Sequence, residues 1–196
     1  AILVGIPKLP NGIRPLAMGE TFLKISAHLL LDNHPNLKGP DAVGSFQRAF
    51  TSCGTEEIIH SVREDLESST PEANGGQPVA DDDVIHAVMY DCTNAFNAVR
   101  RNCIGKRLCE EDMLAPLRPL FNAYYVEQGE LVVRGGPDNA DHPVLMSSEG
   151  VRQGDVLGPL LFCIGLKPAV ENALTRFSAT FPALKIKLYA FMDDIT

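Results

Sequence analysis

Ile186-Lys187-Leu188-Tyr189-Ala190-Phe191-Met192-Asp193-Asp194 is an apolar run closed by two adjacent carboxylates, and the chain stops two residues later at Thr196. Paired acids at the tip of a buried strand are electrostatically costly unless a cation offsets them, and hard oxygen donors of this kind suit magnesium. A second run, Val84-Ile85-His86-Ala87-Val88-Met89-Tyr90, has the continuous apolar character of a central strand and ends at Asp91. The two runs together place three carboxylates at two strand ends.

At 196 residues and 45% hydrophobic, the chain is long enough to bury a substantial core. No stretch of 18 apolar residues occurs, so no transmembrane span is expected. The uncharged start, Ala1 to Pro7, is too short for a secretory signal, and its initial Ala points to a piece of a longer protein. Cys53, Cys92, Cys103, Cys109 and Cys163 form no C-x-x-C and no His-paired zinc spacing. They are expected to be reduced thiols of an intracellular protein. The net charge of −8 at first opposes a nucleic-acid partner. The acidity is local, however: residues 56–83 hold Glu56, Glu57, Glu64, Asp65, Glu67, Glu72, Asp81, Asp82 and Asp83 against Arg63 alone, and the rest of the chain is neutral.

Between these landmarks the pattern predicts a strand over Ile13 to Met18 and a helix over Glu20 to Leu31 with Phe22, Ile25, Leu29 and Leu30 on its inner face. A helix over Thr55 to Leu66 is expected to open on a Thr55 cap, with Glu56 and Glu57 suiting the dipole of its first turn. Ser68 to Val79, with Ser-Ser-Thr-Pro and Asn-Gly-Gly, reads as a flexible surface insertion. Thr93 to Val99 reads as a turn into a helix and Met113 to Val126 as another helix. Glu130 to Arg134 and Val144 to Glu149 form a hairpin around Gly135-Gly136-Pro137-Asp138-Asn139, and Leu157 to Phe177 is a long helix disturbed at Pro168.

Three strings carry chemistry in order: Asp91 to Phe96, Gly150-Val151-Arg152-Gln153-Gly154-Asp155 through Leu161-Phe162, and Phe191 to Asp194. Their order and wording resemble the palm of reverse transcriptases, most closely the non-LTR (LINE-type) retrotransposon enzymes, with their D-x-x-x-A-F, G-V-x-Q-G-D-x-L-G-P-L-L-F and [FY]-x-D-D patterns. Gly12-Ile13-Arg14-Pro15-Leu16 resembles the fingers segment of that family, and Ser52-Cys53-Gly54-Thr55-Glu56 its R-G-T-x-D/E-type helix start. Val156-Leu157 stands where Pro-Leu is common, and Met192 where the non-LTR branch more usually has Ala; both lie beside the acids. The spacing excludes two other chemistries. A haloacid-dehalogenase phosphatase would need an Asp where Thr93 stands, and a P-loop G-x-x-x-x-G-K-[ST] is absent.

The resemblance implies an α/β (α+β) fold: fingers over residues 1–83, then an antiparallel palm sheet flanked by helices over 84–196, with no thumb. It implies RNA-directed DNA synthesis by two-metal nucleotidyl transfer, the ions about 3.5–4 Å apart. Asp91 and Asp193 would hold both Mg2+ ions, with Mn2+ able to substitute. Asp194 would be a further ligand or support and the Cys92 carbonyl a backbone ligand. Phe96 would lie under the incoming sugar and exclude a 2′-hydroxyl. Arg14, helped by Lys8, would clasp the triphosphate. Gln153 would donate to a base or sugar, Gly154 would permit close backbone approach by the template, and Arg152 would touch backbone phosphate. Arg100, Arg101, Lys106 and Arg107 could do the same, and each of the five, Arg152 included, reads first as a solvated surface charge.

The implied partners are an RNA template, a DNA primer or nicked target DNA, and dNTPs, in a nuclear setting after cytoplasmic synthesis. Rival readings are a group II intron-type or telomerase-like enzyme, an RNA-directed RNA polymerase, which Phe96 opposes, and a non-catalytic RNA-binding scaffold, which the retained acids oppose. The 196-residue piece by itself is expected to be inactive, since nothing in it grips the primer.

Overall fold

The computed structural model describes residues 1–8, 12–68, 85–134 and 143–196. The chain divides into two compact units, each assembled from two stretches: residues 1–44 with 94–184, and residues 45–93 with 185–196. The architecture is mixed α/β. The expected boundary at residue 84, the insertion beyond its first residue Ser68, and the loop from Gly135 to Asn139 lie outside the described residues.

The first unit opens with β1 (Ile2–Lys8) and β2 (Gly12–Met18), followed by α1 (Thr21–Asn33), a 3₁₀ turn (Pro35–Lys38) and α2 (Pro40–Val43). In the second unit come α3 (Gly54–Ser68) and β3 (Tyr90–Asp91). The chain returns to the first unit for α4 (Ala95–Ala98), α5 (Arg101–Glu110), a 3₁₀ segment (Asp112–Leu117), α6 (Arg118–Phe121) and a π-helical turn (Asn122–Val126). Then follow β4 (Gly129–Arg134), β5 (Val144–Ser147) and α7 (Gly158–Thr180), and the second unit closes with β6 (Ala190–Phe191) and β7 (Asp194–Ile195).

The first unit's sheet has the order β2-β1-β4-β5. β1 and β2 are antiparallel, Ile2 facing Met18 and Lys8 facing Gly12, whereas β1 runs parallel to β4 from Ile2–Val132 to Val4–Arg134. The prolines obey the ladder: Pro15 is on the edge strand β2, and Pro7 lies beyond the stretch of β1 that β4 covers. Sequence analysis assigns β1 no strand; its pairing to β2 and β4 creates it. The β4–β5 hairpin has the expected partners, with Glu130 facing Met146.

Around α7 lies the core of this unit. Leu160, Leu161 and Ile164 join Ile104, Leu108, Leu114, Leu117 and Phe121, all essentially buried; each such side chain contributes on the order of 1.5–3 kcal/mol of transfer free energy. α7 passes Pro168 unbroken. Proline there removes the donor that the Ile164 carbonyl would receive, and the Arg107 guanidinium supplies a replacement at 2.7 Å. Arg107 is only 6% exposed, pairs with Glu111 at 2.6 Å and also donates to Ala42 O at 3.0 Å, so it is a structural cation rather than a solvated one. Arg101 is likewise drawn inward, donating to Gly150 O at 2.8 Å, Ser147 O at 2.8 Å and Glu149 O at 3.0 Å.

Other sequence expectations are corrected by packing. Met113 to Val126 is helical as expected, but in three contiguous windings, 3₁₀ over Asp112–Leu117, α over Arg118–Phe121 and π over Asn122–Val126, and Pro116 and Pro119 remove amide donors from it. In α1 the inward row is Ala27 and Leu31 with half-buried Leu23, one turn apart, while Phe22, Ile25 and Leu29 are exposed. α3 begins at Gly54 rather than on a Thr55 cap: Cys53 turns the chain at φ 56°, and a Cβ on Gly54 would lie 2.0 Å from Arg48 O. No helix among the described residues is long and apolar enough to cross a membrane.

Candidate functional site

Among the described residues of the run expected as a central strand, only Tyr90 is in a strand, which continues to Asp91, and Met89 is 82% exposed. The partner strand β7 offers Asp194 and Ile195 alone, so the ladder ends with Tyr90 facing Ile195 and Asp91 facing Asp194. Ile186 to Tyr189 is likewise outside regular strand, although Tyr189 and Thr196 exchange backbone hydrogen bonds at 2.7 and 2.8 Å. The three strands are ordered β3-β7-β6, with β6 and β7 joined by Met192-Asp193. Met192 adopts φ 57°, as the first position of a two-residue hairpin loop of primed type requires. A non-glycine residue in this region carries about 1–2 kcal/mol of strain, so its surroundings must hold it.

This turn brings the three acids onto one end of one small sheet. Asp91 and Asp194 face each other across the β3–β7 ladder, and Asp193 precedes Asp194 in the turn. The Cys92 thiol registers all three: burial pushes it above its usual value, and the charges of Asp193, Asp91 and Asp194 push it the same way. Among the described residues no Lys or Arg pairs with these acids, whereas Arg48 pairs with Glu57 at 2.9 Å and Lys187 with Asp65. Like charges directly opposite on a sheet are destabilising without a counter-cation. Oxygen-only donors with no cationic side chain paired to them fit a hard divalent ion in their chemistry. As they stand, no three His, Cys, Asp or Glu side chains among the described residues are gathered closely enough to hold a metal ion. Asp91 and Asp194 are exposed and Asp193 is half-buried.

Sequence analysis passes over Gln47, which is only 4% exposed and grips the same turn. Its Oε1 accepts from Met192 N at 2.8 Å and from Ala49 N at 3.3 Å, while its Nε2 donates to Met192 O at 3.2 Å. Backbone bonds fix it there: Ala190 N donates to Phe46 O at 2.9 Å and Arg48 N to Ala190 O at 2.8 Å. No motif marks Gln47, and only the fold brings it to a turn 145 residues away.

The remaining candidate residues belong to the first unit. Val151 N donates to Phe96 O at 2.7 Å and Gly150 N to Val99 O at 3.1 Å, docking the Gly150–Asp155 loop on α4. Gly150 has φ 67°, and a Cβ there would lie 2.4 Å from Asn97 O, so glycine is required. Gly154 has φ 95°, with Leu16 Cδ1 at 2.8 Å and Ala17 O at 3.0 Å from where a Cβ would stand; its missing side chain is used against β2. Gln153 O accepts from Ala17 N at 2.7 Å. Gln153, Arg152, Asn97, Pro15 and Ala17 share the lining of a hollow of about 220 Å³. Arg14 is exposed on β2, and Lys8 faces Gly12 in the β1–β2 register. The half-buried Phe96 ring stacks on Phe162 with centroids 4.7 Å apart.

Arg152 does not reach outward. Its guanidinium carbon lies 5.6 Å from the centre of the Tyr125 ring, with Arg101 at 5.2 Å from the same ring. The Tyr125 hydroxyl donates to Asp155 Oδ2 and accepts from Arg152 N, and Asp155 Oδ1 accepts from Leu157 N at 3.3 Å ahead of α7. Asp155 is thus a structural carboxylate that organises the loop. Burial first, then the Asp155 charge, drives the Tyr125 phenol far above its ordinary value.

No protein-family model matches the chain. It is 29% identical over 190 residues to the retrotransposable element SLACS 132 kDa protein of Trypanosoma brucei gambiense, a match spanning 95% of this chain and 14% of that protein. The chain is thus related to a retrotransposable-element protein, of which it spans a small part.

Proposed function

We propose that this chain is the nucleotidyl-transfer region of a non-LTR retrotransposon reverse transcriptase, extending a primer 3′-hydroxyl with dNTPs on an RNA template. The observation that carries the reading is Asp91 facing Asp194 in register, with Asp193 on the tight turn beside them and no basic side chain to neutralise them. The retrotransposable-element relative supports it, as does the order of the three motif strings.

The chemistry divides among the residues. Asp91, Asp193 and Asp194, with the Cys92 carbonyl, would hold two Mg2+ ions, which when bound supply activation of the attacking hydroxyl and charge neutralisation on the leaving pyrophosphate. Arg14 is exposed, a position from which a guanidinium clasps triphosphate oxygens bidentately. Gln153 lines the hollow against β2 and offers its amide to a base or sugar. Phe96, braced by Phe162, presents a rigid face to the sugar that disfavours a 2′-hydroxyl.

Primer extension with dTTP on poly(rA)/oligo(dT) by the complete protein tests this. Extension is expected in the parent and a loss of about 10²–10³-fold, of the size that removing one transition-state charge stabiliser produces, in Asp193→Asn. Undiminished extension by Asp193→Asn sinks the enzymatic reading. A parent that binds RNA and never extends a primer favours the scaffold alternative.

A further inference from the structure

We infer that Gln47 is a positioning residue that sets the acidic turn, holding Asp193 and Asp194 in register for metal binding. The inference rests on the proposed role of those acids, but its geometry stands apart from that role. The side-chain amide engages both ends of one residue, accepting from Met192 N at 2.8 Å and donating to Met192 O at 3.2 Å. That match fixes the orientation of the amide, because the flipped form would set donor against donor and acceptor against acceptor. Met192 is at φ 57°, a strained conformation, and the two-ended contact from Gln47 holds it there.

Gln47 is itself over-determined. Its backbone bridges to Ala190 in a parallel register, its neighbours Phe46 and Arg48 bond both sides of that residue, and Ala190 is fully buried. The amide therefore acts from an immobile base. Asp193 and Asp194 follow Met192 directly, so a shift in the Met192 peptide displaces both carboxylates at once. A displacement of about 1 Å is enough to lower catalysis by two orders of magnitude where reacting groups must be aligned.

The test uses the complete protein with Gln47→Leu, which keeps side-chain volume and removes both hydrogen bonds, and Gln47→Asn, which keeps the amide one methylene too short. Hydrogen exchange should rise at least about tenfold in peptides covering residues 188–196 and stay unchanged elsewhere. The half-saturating Mn2+ concentration, read by paramagnetic resonance without substrate, should rise at least about threefold. In primer extension kcat should fall at least about tenfold with KM for the dNTP held within about twofold, a split that a merely loosened fold would not produce. Parent-like exchange and Mn2+ affinity in both variants overturn the proposal. If Gln47→Leu exchanges faster throughout the chain, Gln47→Asn decides. Asp193→Asn runs alongside: parent-like Mn2+ binding by that variant refutes the metal reading, while the local exchange result still judges Gln47.

Discussion

Gly150 shows how a single residue links motif and packing. Its φ of 67° and the Asn97 carbonyl 2.4 Å from any Cβ leave room for hydrogen alone. Gly150→Ala should destabilise the protein by about 2–4 kcal/mol, combining left-handed strain with a forced shift of the α4 backbone. Denaturant unfolding checks this, and a loss under about 0.5 kcal/mol would mean that the loop relaxes freely. The need for glycine here is visible in the motif string; the reason, a carbonyl belonging to another element, is not. Gln47 is the opposite case, with no sequence signal and a side-chain amide fitted on both sides to a strained turn.

At the scale of elements, α7 is continuous because of a side chain outside it. Helical periodicity predicts the helix and Pro168 predicts its disturbance, yet Arg107 of α5 satisfies the Ile164 carbonyl that the proline leaves unpaired. Arg107→Met, similar in length and without donors, should cost about 2–4 kcal/mol, since it strands the Ile164 and Ala42 carbonyls and leaves Glu111 uncompensated. Glu111→Gln should cost less, because both carbonyl bonds survive. Comparing the two by urea unfolding separates the carbonyls from the ion pair, and equal losses would assign the whole effect to the pair. Local composition does not distinguish this arginine from the exposed Lys106 beside it; the distinction depends on which face of α5 packs against α7 and α2.

The molecule as a whole carries a pH signature in its first unit. Burial, with the Asp155 charge second, pushes the Tyr124 phenol up to about 12, and Tyr125 is raised further by the same causes. A raised folded-state value means that this stability is fully present below the unfolded phenol's pKa near 10 and is lost as pH climbs through the folded value. Thermal unfolding should therefore soften progressively above about pH 10. The Tyr124 hydroxyl is buried with no hydrogen-bond partner among the described residues. Tyr124→Phe should accordingly raise Tm by about 2–4 °C per kcal/mol recovered and flatten the decline between pH 10 and about 12. An unchanged alkaline limb in that variant would show that the phenol is not coupled to folding. From the sequence alone come the strands β2, β4 and β5, the long helix α7, the position of the motif strings and the identity of the acids, because periodicity, turn residues and motif spacing are local properties of the chain. Tertiary structure alone joins residues 45–93 to 185–196 in one unit, makes Ile2–Lys8 a strand, buries Arg107, and faces Asp91 with Asp194 while Gln47 grips the turn. Those outcomes depend on hydrogen bonds and close contacts between segments far apart in the chain, and no local pattern encodes which distant partner a polar or apolar group will meet.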